Sequence, residues 1–195
     1  MAKQAEVSIT GLKRNEVTIG VKGTTPLIVH RFAEKARKEM LDKQMKKARS
    51  GKEAKDPNKD YLGSIYFLED KKRSGFPAVG FKAAMVRAGK QLGYTMTDLR
   101  GMFFVKADEG DLIQIHGDHR MREDIVRLNG GTSDIRFRAE YPEWNADITI
   151  QYNANAISAE ELVKLVEVAG FACGIGEWRP EKSNTGSFGL FEIDN

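Results

Sequence analysis

Residues 174–193 read Gly174-Ile175-Gly176-Glu177-Trp178-Arg179-Pro180-Glu181-Lys182-Ser183-Asn184-Thr185-Gly186-Ser187-Phe188-Gly189-Leu190-Phe191-Glu192-Ile193, and hold four glycines, an indole, an arginine and a lysine. Glycine accepts positive φ and lets a backbone approach a ligand closely. Successive N–H groups in such a loop can form a concavity for an anion. Arg179 and Lys182 add cations for phosphates, and Trp178 adds a flat face on which a base can stack. A plainer reading has the glycines serve turns while Trp178 plugs the loop onto the core. No lysine directly follows a glycine here and no helix begins at the end of the stretch, so it does not resemble a nucleotide-hydrolysing P-loop.

Other cations stand where a nucleic-acid backbone can reach them. His30 and Arg31 end the short apolar run Leu27-Ile28-Val29; Lys43, Lys46 and Lys47 follow in a basic segment; Lys82 and Arg87 lie near a helix start. Arg136 and Arg138 share one face of an alternating strand, which either lines a groove or is a solvated outer face. Three histidines, His30, His116 and His119, are available for acid–base work, with Glu34 and Asp108 the conceivable carboxylates. His30 is the one candidate for catalysis, and the expectation is that no residue is catalytic. His116 and His119 have no third histidine or cysteine nearby, so no metal and no cofactor is expected.

At 195 residues the chain has the length of one domain, or of one core with an insertion. The net charge of +3 is unevenly spread. Lys35 to Lys59 holds ten Lys/Arg against four Asp/Glu, whereas Ala139 to the end holds three against ten. Such asymmetry fits a side that faces a polyanion and a complementary side for self-association, or simply two solvated faces. Cys173 is the only cysteine, so no internal disulfide forms. Met-Ala-Lys-Gln is not a secretory start and no apolar run approaches a membrane span, which leads us to expect an intracellular, cytoplasmic protein.

The elements that must position these residues follow from periodicity. Met1 to Lys13 reads as an arm or edge strand. Val17 to Val21 alternates as a half-buried strand, broken by Gly23-Thr24-Thr25-Pro26. Phe32 to about Arg49 reads as a helix, and Ser50 to Tyr61 as a polar linker able to stay disordered when unbound. Residues 32–62 thus form an insertion with a basic face. Ser64 to Leu68 reads as a strand. From Phe81 to about Leu92, residues Phe81, Ala84, Met85, Ala88 and Leu92 make one apolar helical face, with Lys82 in a first turn whose dipole disfavours a cation. Met102 to Val105 and Leu112 to His116 are strand-like, and Gly117 to Gly131 is mixed. Ile135 to Tyr141 and Trp144 to Tyr152 alternate strictly and form a plausible hairpin across Pro142-Glu143. Ser158 and Glu161 have capping-box spacing ahead of Leu162, Leu165, Val166 and Ala169. Phe188 to Ile193 closes the chain as a strand. Without its decorations the order is β-α-β-β-α-β: an α+β, ferredoxin-like plan, an antiparallel sheet with helices on one face.

Three segments then resemble the RAMP superfamily, the repeat-associated proteins that build CRISPR effector complexes. They are Thr25-Pro26-Leu27-Ile28-Val29-His30, then Phe76-Pro77-Ala78-Val79-Gly80-Phe81-Lys82-Ala83-Ala84-Met85-Val86-Arg87, and the glycine-rich loop with its strand from Gly174 to Ile193. Ala83 stands where the family favours glycine. The resemblance implies one RAMP-like domain over residues 1–195, with an RRM-like core, 32–62 as a thumb-like insertion and 174–187 as the glycine-rich loop. It also implies a non-catalytic protein that assembles head-to-tail along single-stranded RNA or DNA, as a filament or ring and away from membranes. Two alternatives stay open. One is a RAMP-type endoribonuclease. The other is a phage structural or inhibitory protein that mimics an effector subunit. The compact size is similar to that expected of a stand-alone phage or prophage relative working in the cytoplasm of a bacterial host cell.

Overall fold

The alternation at Val17, Ile19 and Val21 extends, in a computed structural model that describes residues 11–32, 34–46, 54–127 and 131–194, over strand β1 (Arg14–Gly23). Ile19 and Val21 are buried and Thr18 and Lys22 exposed, as a period of two requires. Strand β2 (Leu27–Val29) is buried throughout. Helices α1 (Glu34–Gln44) and α2 (Pro57–Gly63) occupy the expected insertion. The second lies in the stretch read as an unstructured linker, and its cause is local. Asp56 caps it by accepting the N–H groups of Asn58 and Lys59, and Pro57 fills a first-turn position that needs no N–H. The arm read at Met1 to Lys13 falls largely outside the described residues.

Strands β3 (Tyr66–Phe67) and β4 (Ser74–Pro77) pair antiparallel, and helix α3 (Ala78–Ala88) starts at Ala78 rather than Phe81. Helix α4 (Met96–Met102) follows, capped by the Thr95 hydroxyl, then strands β5 (Phe103–Val105), β6 (Leu112–Ile115), β7 (Arg120–Arg127), β8 (Ser133–Tyr141) and β9 (Asn145–Asn153). The segment read as mixed, Gly117 to Gly131, therefore contains a strand. Helix α5 (Ala159–Val168) carries the expected capping box, with Ser158 and Glu161 exchanging bonds of 3.2 and 2.8 Å. Strand β10 (Phe191–Ile193) is shorter than read. Among the described residues no helix is long and apolar enough to cross a membrane.

The chain is mixed α+β, and its sheets are antiparallel. Four strands form the sheet β10-β1-β9-β5, so that β1-α3-β5-β9-α5-β10 traces the ferredoxin-like β-α-β-β-α-β order. Ile19, Val21, Ile148 and Ile150 of this sheet share one core with Phe81 and Met85 of α3 and Leu162, Leu165 and Val166 of α5. The opposite residues of β9, Asn145, Asp147 and Gln151, are exposed. Two further sheets, β2-β8-β7 and β3-β4-β6, stand beside it.

The expected hairpin of Ile135–Tyr141 with Trp144–Tyr152 does not form. Strand β8 pairs with β2 and β7, while β9 pairs with β1 and β5. Between them Trp144 is buried, its indole N–H donating to the Thr25 carbonyl at 3.0 Å, and Asn145 exchanges two 2.9 Å backbone bonds with His116. The chain therefore crosses from one sheet to the next at this corner instead of folding back on itself.

Candidate nucleic-acid interface

The glycine-rich loop is welded to β2. Gly189 N–H donates to the Pro26 carbonyl and Glu177 N–H to the Ile28 carbonyl, both at 2.8 Å, while Ile175 N–H donates to the Gly189 carbonyl at 2.9 Å. Gly189 has φ +67° and its missing Cβ would collide with the Ile175 carbonyl oxygen; Gly176, at φ +78°, would collide with that of Ile28. These glycines are thus required by backbone packing against backbone. The N–H groups of Gly174, Gly186 and Phe188 are likewise donated to protein carbonyls. The N–H groups that close the loop therefore point inward, toward protein carbonyls. The indicated motifs do converge, since Arg87 of α3 pairs with Glu181 of the loop and Phe81 meets Phe191 edge to face.

Under the loop lies a charged ladder that the sequence reading did not single out. Period-two geometry puts Arg120, Arg122 and Asp124 of β7 on the same face as Glu140, Arg138 and Arg136 of β8, and the register sets each pair across from one another. Arg120 and Arg122 each donate to Glu140 at 2.8 Å, and Arg122 also donates to Asp124 at 2.8 Å. Arg138 stands 3.5 Å from the other Asp124 oxygen. Asp124, Arg138 and Glu140 are all buried. The rings of Trp178 and Phe188, 5.9 Å apart, cap this face, with the Arg122 guanidinium 5.3 and 4.9 Å from them and that of Arg138 5.7 Å from Trp178. The signal for the ladder was present as charges at alternate positions in Arg120–Asp124, facing those of Asp134–Glu140.

Around this cap the structure gathers part of the expected set. His30 is half-buried; burial, then the charges of Arg138, Arg136 and Lys182, hold its pKa below the usual histidine value against the pull of Glu177. His30, Arg136, Arg138, Lys182 and Glu177 therefore share one electrostatic neighbourhood. Arg31 is exposed beside it, its N–H donating to the Ser64 carbonyl at 2.8 Å, and its charge reaches Tyr66 together with that of Glu177. Lys182 is exposed, Arg136 is partly so and pairs with Asp134 at 3.5 Å. Arg138, read as groove-lining or on a solvated face, is instead 1% exposed.

The remaining residues lie apart or have structural partners. Helix α3 begins at Ala78, so Lys82 lies beyond its first turn and the expected conflict with the helix dipole does not arise; Lys82 donates to the Arg100 carbonyl at 3.0 Å and sits 4.0 Å from the Phe104 ring. Arg179 folds back on its own loop, donating to the Gly176 carbonyl at 2.7 Å and to Glu181 at 3.1 Å. Lys43 and Lys46 are exposed at the end of α1 and just beyond it. Lys47 lies outside the described residues.

The histidines are dispersed in their bonding. Nδ1 of His119 is 2.6 Å from the Tyr61 hydroxyl, and Nδ1 of His116 is 3.2 Å from the Gln114 amide. Among the described residues no group of three or more His, Cys, Asp and Glu side chains is placed to hold a metal ion.

No family model matches the sequence, and no curated protein does. Solved structures do match the fold. A chain in the cryo-EM structure of the Type III-B Cmr-beta bound to cognate target RNA superposes with a TM-score of 0.54 at 12% identity, over 94% of this chain and 60% of that one. The chain thus spans about 60% of that longer relative's length. The crystal structure of Cmr6 from Pyrococcus furiosus aligns over 93% of this chain and 98% of its own, with 10% identity and a TM-score of 0.47. At such identities the likeness is one of fold alone, and the first of these structures carries it.

Proposed function

We propose that this protein binds single-stranded nucleic acid without cleaving it, along the lip where the glycine-rich loop meets β2 and β8. The observation that carries this reading is the electrostatic neighbourhood that His30, Arg136 and Lys182 share, with exposed Arg31 next to His30 in the chain and half-exposed Trp178 next to Glu177; the acids there are Glu177 and Asp134, the latter paired with Arg136. Cations there neutralise phosphates and Trp178 stacks a base, the two ingredients of sequence-tolerant strand binding. The open face of the four-stranded sheet is poorer in free charge, for Lys22 pairs with Glu192 and Asp194 and Lys106 with Glu16. A complex of similar subunit fold is bound to RNA, which makes RNA the first strand to try. The reading places the protein in the cytoplasm and includes head-to-tail self-association, with the basic, thumb-like α1 segment of one copy facing the acidic C-terminal third of the next.

The test is anisotropy of labelled single strands, RNA and DNA, over a salt series. Affinity is expected to fall linearly in log–log form, and Arg31→Ala, Arg136→Ala and Lys182→Ala each to shallow the slope by about 0.7. Salt-independent binding, or none to either strand, overturns the proposal. The same strands, run on a gel after incubation, test the endoribonuclease alternative: cleavage lost in His30→Ala would replace the non-catalytic reading.

A further inference from the structure

Among the described residues, Arg138 is the largest side chain under 2% exposed, and it is incompletely satisfied. Among the described residues neither its Nε nor its Nη1 finds a hydrogen-bond partner, and the Asp124 oxygen 3.5 Å away makes no hydrogen bond either. The other carboxylate oxygens of the ladder are taken: one of Asp124 and one of Glu140 by Arg122, the last by Arg120. A buried guanidinium without its hydrogen bonds is costly, so a fold that keeps one calls for an explanation. The charges of Glu177 and Asp124, then those of Arg136 and Arg122, act on Arg138, and His30 feels Arg138, Arg136 and Lys182 together. The ring of Trp178 lies 5.7 Å from the Arg138 guanidinium, and Trp178 is itself half-exposed and held at φ +52°, a backbone conformation unfavourable for a large aromatic residue.

We infer that Arg138 is the floor of a phosphate subsite that Trp178 closes in the free protein. When a strand binds, the indole swings from the guanidinium onto a base, and a phosphodiester oxygen accepts from the vacant Nε donor, while Nη1 stays toward Asp124. Arg136 and Lys182 form its rim. Satisfaction of the buried Nε donor favours the bound state. The inference rests on the strand-binding reading above and adds where a phosphate enters and which residue gates it.

Two measurements test it, both with fluorescein-labelled oligouridylate and with the unlabelled strand. The first is tryptophan emission. Trp144 is buried and bonded to Thr25, so it serves as a constant background; the strand is expected to change emission of the wild type but not of Trp178→Phe. The second is affinity of Arg138→Met. Loss of the subsite weakens binding about tenfold and shallows the salt slope by about 0.7, whereas a purely structural arginine leaves both unchanged in the folded protein. If Arg138→Met fails to fold, Asp124→Asn/Arg138→Met, which removes both charges of the buried pair, gives the answer: the same weakening supports the subsite and wild-type affinity overturns it. Wild-type affinity in Arg138→Met alongside weakened Arg31→Ala and Lys182→Ala overturns the subsite alone. No binding by the wild type overturns the strand-binding reading and the subsite with it.

Discussion

Replacing Glu140 by alanine tests whether the charged ladder holds the cap together. Its side chain is 5% exposed and accepts two 2.8 Å charge-assisted bonds, from Arg120 and Arg122. The Arg120 side chain is 67% exposed, so solvent already screens that pair and its loss counts for little. Arg122, 26% exposed, is the partner that matters, and a hydrogen bond to a charged group contributes about 1.5–3 kcal/mol. Removing one member of a buried network costs about 3–5 kcal/mol because the other charge is stranded. Arg122 keeps its bond to Asp124, which sets the expectation at the low end, about 3 kcal/mol. For a chain of this size that corresponds to a fall of about 6–12 °C in melting temperature. Glu140→Gln keeps a neutral acceptor and should lose about half as much. Acid sensitivity follows the same network. Burial pushes the Glu140 carboxyl up, but the bonds from Arg120 and Arg122 outweigh it and hold its pKa below the ordinary value. Its contribution is therefore present above the unfolded carboxylate pKa and lost as pH falls through the folded one. Urea unfolding of wild type and both variants at neutral pH and near pH ~4 reads all of this. A loss under about 1 kcal/mol for Glu140→Ala would refute the claim that the ladder anchors the cap.

Two further outcomes are expected. Burial and the charges of Arg138, Arg136 and Lys182 keep His30 neutral below its ordinary pKa, so its contribution to stability is full above about pH 6.5 and declines as pH falls toward the folded value. Denaturation midpoints of His30→Gln should drop less than the wild type's on acidification from about pH 7.5 to 5.5, and an equal drop would refute the placement; His119, lowered by burial too, supplies the loss that remains. Gly189→Ala introduces a side chain at φ +67° against the Ile175 carbonyl, and should destabilise the protein by more than the roughly 1–2 kcal/mol of the left-handed conformation alone, measured by thermal unfolding.

Local chemistry determined what could be read before the fold was seen. The Ser158–Glu161 box and the Leu162-Leu165-Val166 stripe specify α5 because caps and helical faces are built from residues three and four apart. The alternation at β1 and β9 specifies strands with one buried face for the same local reason. Periodicity says nothing, however, of which strand lies alongside. Strands β8 and β9 are adjacent in sequence and each alternates, so a hairpin was the natural reading, and only the burial of Trp144 and the bridge from Asn145 to His116 send them to different sheets. Strand β7 was missed because its charges, Arg120, Arg122 and Asp124, are compensated by Glu140 and Arg138 across the ladder, a balance set by register and invisible along one segment. The glycine-rich loop shows the division most clearly. Its glycines announce close backbone approach, but whether the approaching group is a ligand or the chain itself depends on what the fold brings near. Here Pro26 and Ile28 of the β2 segment take that place, while half-exposed Trp178 and exposed Lys182 remain at the loop's surface.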